Sequence, residues 1–161
     1  MKYRQIIFSI AILLIFIVSA CTGIYENGKE LAGDVDKLVP QISVDSLKAK
    51  IERGDEFMLI DVRQIAEYNQ GSIEIATIIP RGELEFLILN DAYWEEQFMY
   101  APKKEDEIII FSNSGKRSAL ATQQLIQIGF KNVKNLTGGF EAFDPNHEAS
   151  AEPEEEGGCG G

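Results

Sequence analysis

Glu107-Ile108-Ile109-Ile110-Phe111-Ser112-Asn113-Ser114-Gly115-Lys116-Arg117-Ser118 decides how this chain folds. Four consecutive large apolar residues suit a short strand covered on both faces, as in the middle of a parallel sheet. The next six residues are small, polar or basic, and from about Ser118 the spacing turns helical, with Ala121, Leu125 and Ile128 at i, i+4, i+7 and a stop at Gly129. A strand running through a tight loop into a helix places that loop at the carboxyl end of the sheet, where open α/β sheets bind ligands. Gly115 and its small neighbours let the backbone curl, and a helix N-terminus adds positive potential, so residues 112–118 suit an anion, with Lys116 and Arg117 as further charge. The plainer alternative is a helix start flanked by two solvated basic residues.

Outward from this loop the same alternation recurs. Ser43 can cap a helix carrying Val44, Leu47 and Ile51 on one face and stopped at Gly54. Phe57 to Ile60 is a second buried strand running into Asp61-Val62-Arg63, and Ile75 to Ile79 a third, closed by Pro80. Glu83 to Phe98 is helix-rich, and Val133 to Leu136 a last strand before Gly138-Gly139. Strands alternating with helices predict an α/β fold with a central, mostly parallel sheet of about five strands and helices on both faces. The folded part spans 41–145, about 105 residues and one domain of ordinary size. No internal repeat is visible.

The ends carry separate messages. Lys2 and Arg4 precede an apolar run, Ile6 to Val18, broken only by Ser9, and then Val18-Ser19-Ala20-Cys21. A basic start, a short apolar core and small residues before a break are the parts of a secretory signal. The run is about 13 residues, short of the roughly 20 that a spanning helix needs. The residues before Cys21 resemble the lipobox of bacterial lipoproteins. That resemblance implies a signal peptide at 1–20, a lipidated Cys21 (palmitate among its acyl chains) and a membrane-anchored protein in the cell envelope, facing outside the cytoplasm. Thr22 rather than Asp follows Cys21, which favours the outer membrane in a cell with two. An uncleaved anchor helix is the alternative, and it too leaves the domain outside the cytoplasm. Residues 21–40, polar and containing Gly23, Gly28 and Gly33, read as a tether with one weak helical turn at most.

At the other end, residues 146–161 read as a disordered acidic tail ending Gly157-Gly158-Cys159-Gly160-Gly161, because such a composition cannot build a core. The formal net charge is -11. This argues against a nucleic-acid partner, since Lys and Arg must neutralise phosphates. No metal or cofactor is expected. There are two cysteines. If Cys21 is acylated, Cys159 has no intramolecular partner and is a lone thiol in an oxidising compartment.

Five pieces of the chain, in order, resemble the rhodanese-like sulfurtransferase family: Leu59-Ile60-Asp61-Val62-Arg63; Glu67-Tyr68 with Gly71-Ser72-Ile73 and Ile79-Pro80; the loop Ser112 to Ser118, similar to C-x-x-G-x-R-S; Gly129-Phe130; and Gly138-Gly139-Phe140. The likeness runs from about Ile42 to Phe143. It implies sulfur metabolism: a loop cysteine that accepts a sulfane sulfur and passes it to a thiol or cyanide. Here that position is Ser112, which cannot form a persulfide and has no evident base, the single histidine, His147, being placed in the tail. The family's Gly-His-Ile is Gly71-Ser72-Ile73, and its closing Trp is Phe143. Asp61 and Arg63 are expected to hold neighbouring segments together.

No catalytic residue is therefore assigned, and three readings follow. The loop binds an anion, a sulfur species or a partner protein without loop-cysteine catalysis. Alternatively, Cys159 is the working thiol of a sulfur carrier. Its 16 links from Phe143 span roughly 20–24 Å, ample for a domain with a radius of gyration near 13 Å. In the third, the protein is a structural or interaction lipoprotein. A phosphatase is disfavoured, because related phosphatases also need the cysteine and have a longer loop.

Overall fold

A computed structural model describes residues 24–147. The expected signal peptide at 1–20, the lipidated Cys21 and the tail thiol Cys159 lie outside the described residues.

Five strands, β1 (Gln41–Ile42), β2 (Met58–Asp61), β3 (Thr77–Ile78), β4 (Glu107–Phe111) and β5 (Asn132–Leu136), form one sheet in the order β1-β5-β4-β2-β3. Every pairing is parallel. All strands thus begin at one edge and end at the other, and the loops that leave β2, β4 and β5 gather at the second edge.

The helices among the described residues are α1 (Gly28–Asp36), α2 (Val44–Arg53), α3 (Ile65–Asn69), α4 (Leu84–Leu87), α5 (Asp91–Glu96), α6 (Lys116–Gln127) and α7 (Gly139–Phe143). Alternate strand residues point to opposite faces. Ile60, Ile108 and Ile110 accordingly pack with Leu84, Trp94 and Leu125 from α4, α5 and α6. Leu59, Ile109 and Phe111 pack with Leu47 of α2 and Phe140 of α7. Both faces are covered, which explains why β4 reads as a continuous apolar run rather than an alternating one. The expected α/β architecture is the one observed.

The boundaries differ in instructive places. Ser43 does cap α2, accepting from the Ser46 amide at 3.2 Å, and Gly54 closes it with φ of 68°. The strand expected at Ile75–Ile79 shortens to two residues, and the helix-rich stretch Glu83–Phe98 breaks into α4 and α5, the second capped by Asn90. Residues 28–36 of the expected tether are instead a nine-residue helix, capped by Asn27. Gly33, costing about 1 kcal/mol in the helix interior, and Gly28 at its first position mask it in the sequence. Packing reverses the balance: Val35 and Val39 bury against Ala119 of α6, with Leu31 and Leu120 at the margin. The expected disordered tail also starts too early. The His147 amide donates to the Asp144 carbonyl at 3.2 Å, and its ring meets Phe140 edge-on with centroids 5.0 Å apart.

Candidate functional site

The loop Ser112–Ser118 sits where β4 ends and α6 begins, at the edge where the strands end. Its shape is imposed from the turn after β5. The Phe140 amide donates to the Ser112 carbonyl at 2.8 Å and the Glu141 amide to the Asn113 carbonyl at 3.0 Å. Asn113 Nδ2 donates to Glu141 Oε1 at 2.8 Å. This contact is possible only because residue 139 lacks a side chain: a Cβ there would lie 2.2 Å from the Ser112 carbonyl oxygen, and its φ is 60°. Gly115, the N-cap of α6, has φ of 85°. Its carbonyl accepts from the Ala119 amide, from Ser118 Oγ and from Asn135 Nδ2.

The carbonyls of Ser112, Asn113 and Gly115 are therefore all engaged. Among the described residues, the amides of Asn113, Ser114, Gly115 and Lys116 donate to no acceptor. A run of spare amides at the start of a twelve-residue helix offers donors and positive potential of the kind that suits an anion.

Ser112 is 1% exposed and its hydroxyl is fully occupied. Oγ accepts from the Ser118 amide and lies 3.2 Å from Ser118 Oγ. Ser118 Oγ has one proton and gives it to the Gly115 carbonyl at 3.0 Å. Ser112 must then donate its own proton to Ser118 Oγ. Among the described residues no histidine or carboxylate is hydrogen-bonded to this pair, so none of them is placed to take a proton from Ser112.

The two basic residues of the loop separate. Lys116 makes no ion pair with a described residue and is free to face an anion. Arg117 instead forms a two-pronged bridge to Glu67 of α3, with Nη1 2.8 Å from Oε2. Burial pushes the Glu67 carboxyl up, but Arg117 and the Gln64 amide outweigh it and hold the group below the usual glutamate range. Arg117 thus fixes α3 to α6 through its two terminal nitrogens.

Asp61 and Arg63 form a pair buried beneath the site, with Arg63 Nη2 2.7 Å from Asp61 Oδ2. Arg63 also donates to the Gly71 carbonyl at 2.7 Å and lies 4.3 Å from the centre of the Phe140 ring. Ser72 Oγ donates to Asp61 Oδ2 at 2.8 Å. The pair ties β2, the segment 71–72 and α7 together. Phe143 lies at the margin of the core under Lys48, 4.9 Å from its ring centre.

Two contributors escape sequence reasoning. His147 packs over Gly71, where a Cβ would come within 2.8 Å of its ring. Asn135, fully buried, donates to the Gly115 carbonyl at 3.1 Å and to Asp36 Oδ1 of α1 at 2.7 Å. Asn135 shares the buried face of β5 with Val133, and a polar residue on that face was the one available signal for it. Among the described residues no group of three or more His, Cys, Asp or Glu could hold a metal ion.

Comparison with known proteins matches residues 43–145 to the family model described as "Rhodanese-like domain". The chain is 35% identical over 85 residues to the "Putative thiosulfate sulfurtransferase, mitochondrial" of Schizosaccharomyces pombe, covering 52% of this chain and 60% of that protein. It is 30% identical over 114 residues to the "Putative sulfur carrier protein YrkF" of Bacillus subtilis, covering 71% and 56%. The chain therefore spans less than two thirds of the length of both relatives. Among solved structures, "Human Single Domain Sulfurtranferase TSTD1" superposes with a TM-score of 0.61 at 31% identity, over 66% of this chain and 96% of that one.

Proposed function

We infer, from the premise that this chain belongs to the rhodanese-like domain family, that it is an anion- or sulfur-species-binding member held at a membrane through lipidated Cys21 and lacking loop-thiol catalysis. The Ser112–Ser118 loop is the binding site. The observation that carries this reading is the state of the loop: a buried serine hydroxyl with both hydrogen-bond roles taken, beside a run of uncommitted amides. A serine in the sulfur-accepting position cannot hold a persulfide. The amides and Lys116 still suit a small oxyanion such as sulfite, thiosulfate or phosphate, or an acidic group on a partner protein.

Two measurements test it on the full chain. Thiosulfate:cyanide sulfurtransfer should stay at the uncatalysed rate. Calorimetric titration with sulfite, thiosulfate and phosphate should show binding that Lys116→Glu weakens at least about tenfold, the loss of one charge-assisted contact of about 1.5 kcal/mol. Turnover with Cys159→Ser in place, or no binding of any of these anions, would defeat the reading.

A second reading, sulfur carriage by Cys159, is favoured by the docked His147. The tail leaves the fold beside Gly71 and Phe140, and Phe140 is hydrogen-bonded to Ser112. The twelve links from His147 to Cys159 span roughly 17–21 Å, and a tethered thiol has a millimolar effective concentration. Intact-mass analysis after polysulfide treatment would find one added sulfur on Cys159 under this reading and none under the first.

A further inference from the structure

We propose that Asp36, the last residue of α1, is a positioning residue of the anion site: through Asn135 it fixes the Gly115–Lys116 peptide and so the direction of the Lys116 amide. This rests on the anion-binding reading of the Ser112–Ser118 loop and adds α1, which precedes the matched residues 43–145, to that site.

A trans peptide is flat, so its C=O and its N–H point in opposite directions. Whatever holds the carbonyl of one residue therefore aims the amide of the next. Three of the four spare amides of the loop are aimed in this way. The Phe140 amide holds the Ser112 carbonyl, which aims the Asn113 N–H, and the Glu141 amide holds the Asn113 carbonyl, which aims the Ser114 N–H. The Gly115 carbonyl, which aims the Lys116 N–H, accepts from the Ala119 amide at 3.0 Å, from Ser118 Oγ at 3.0 Å and from Asn135 Nδ2 at 3.1 Å. The first two donors belong to α6 itself and move with it. Asn135, on β5, is the donor that ties this peptide to the sheet.

Asn135 depends in turn on Asp36. Its Nδ2 donates to the Gly115 carbonyl and also to Asp36 Oδ1, at 2.7 Å. A bond to a carboxylate is the stronger kind, so Asp36 does more than Gly115 to hold the side chain in place. The Asn135 Oδ1 is buried and, among the described residues, has no partner. Turning the amide over would set that oxygen against a carboxylate and a carbonyl, both of them acceptors, so its orientation is fixed. A buried acceptor without a partner is unfavourable, and an apolar residue such as the neighbouring Val133 would avoid it. What asparagine adds at this position is its two donated bonds, and they join α1 to the loop.

Asp36 is itself held from the other side. Gln41, paired with Asn135 across β1 and β5, donates from Nε2 to Asp36 Oδ1 at 2.9 Å and to the Asp36 carbonyl at 2.7 Å. Gln41 Oε1 accepts from Thr137 Oγ1 at 3.2 Å. Thr137 leads into Gly138 and Gly139, the turn that clamps the Ser112 and Asn113 carbonyls. The loop lies close against that turn: a Cβ on Gly115 would be 3.2 Å from the Leu136 carbonyl oxygen and 3.4 Å from the Gly138 nitrogen. One carboxylate oxygen is thus joined, through Asn135 and through Gln41, to both supports of the loop. Charge alone predicts the opposite effect from positioning. A carboxylate near a bound anion repels it, so removing the charge should tighten binding; removing a positioning group should loosen it.

The test titrates the full chain with thiosulfate, sulfite and phosphate by calorimetry and records the amide nitrogen–proton resonances of the same protein. Asp36 is half-buried at a helix end, so truncating it leaves the core intact. Asp36→Ala should weaken binding about fivefold, the partial loss of one hydrogen bond to a charged acceptor, and should shift the Lys116 amide resonance. Asp36→Asn keeps an oxygen for Asn135 and removes the charge, so it should bind as the parent does or more tightly, with the Lys116 resonance near its parental position. Leu31→Ala thins the packing of α1 on α6 more than one turn away from Asp36. It should lower the melting point yet leave affinity within about twofold, because sites without a shared partner act independently. Unchanged or tighter binding by Asp36→Ala, an equal loss in Asp36→Asn, or an equal loss in Leu31→Ala overturns the positioning role and leaves the anion site standing. A parent that binds none of the three anions overturns the anion site; the resonances then decide the positioning role, which falls if Asp36→Ala leaves Lys116 unmoved and holds if Lys116 shifts in that variant and returns in Asp36→Asn.

Discussion

Replacing Ser112 with cysteine is expected to create a persulfide-forming thiol in a loop already shaped to ionise it. Ser112 Oγ accepts from the Ser118 amide at 3.2 Å and faces Ser118 Oγ at the same distance. A thiolate at 112 would accept from the amide and, if the Ser118 hydroxyl turns from the Gly115 carbonyl, from that group too. Hydrogen bonds to a charged acceptor exceed those to a neutral one by about 1 kcal/mol each. Two of them enlarge the ionisation constant roughly 30-fold, since 1.36 kcal/mol is a factor of ten. A free cysteine, with pKa near 8.5, is about 3% thiolate at pH 7; the variant should be about half thiolate. The helix N-terminus acts in the same direction and burial against it. The assay is ultraviolet titration of the thiolate in a Cys159→Ser background, followed by intact mass after thiosulfate. A thiol that ionises no more readily than free cysteine, or a chain that gains no sulfur, would refute the claim that the loop retains its electrostatic design and lacks only the sulfur atom.

The other expected outcomes concern the scaffold. Gly139→Ala puts a methyl group 2.2 Å from the Ser112 carbonyl at a φ of 60°, so the clamp on the loop must open; a loss of at least about 2 kcal/mol in urea melts is expected, and a variant within about 0.5 kcal/mol of the parent would show that the clamp is not needed. Asp61→Asn leaves Arg63 buried without its counter-charge. The cost of about 3–5 kcal/mol corresponds to a melting point lower by roughly 10–20 °C, and an unchanged melting point would contradict the pairing. Burial raises the Glu107 pKa, but hydrogen bonds from Lys134 and Lys50 outweigh it and the net shift is downward. A carboxyl depressed in the folded state contributes stability that is present above its unfolded pKa and lost as pH falls through the folded value. Glu107→Gln should therefore flatten the acid limb of the stability–pH curve, and an acid limb of unchanged slope would remove Glu107 from that role.

Much of this fold is legible because its signals are local. The apolar run of β4, the Ser43 cap and the Gly54 stop each need only a few residues to be read, and all are found where the pattern places them. The failures share a cause as well. α1 has a weak intrinsic preference for helix and exists because α6 offers Ala119 and Leu120 as a floor; nothing within residues 28–36 announces that floor. β1 and β3 are two residues each, sustained by neighbours in the sheet rather than by their own pattern. His147 sits in a polar run and is ordered by an aromatic ring and a glycine distant in sequence.

The site divides along the same line. The order of small residues and Gly115 reports the backbone of the loop, since a positive φ and a tight approach demand particular residue types at particular places. It does not report where long side chains go. Arg117 follows Lys116 directly, yet one is spent on Glu67 and the other is uncommitted, a distinction set by a carboxylate 50 positions away. This has a functional consequence for the proposed reading. If the arginine is structural, the charge available to an anion comes from the amides and Lys116 alone, which fits a small, singly or doubly charged species better than a phosphoester that needs a guanidinium fork. On the proposed reading, a serine at residue 112 removes one chemical step and leaves the anion preference of the cradle in place, because that preference would reside in backbone amides rather than in the side chain at 112.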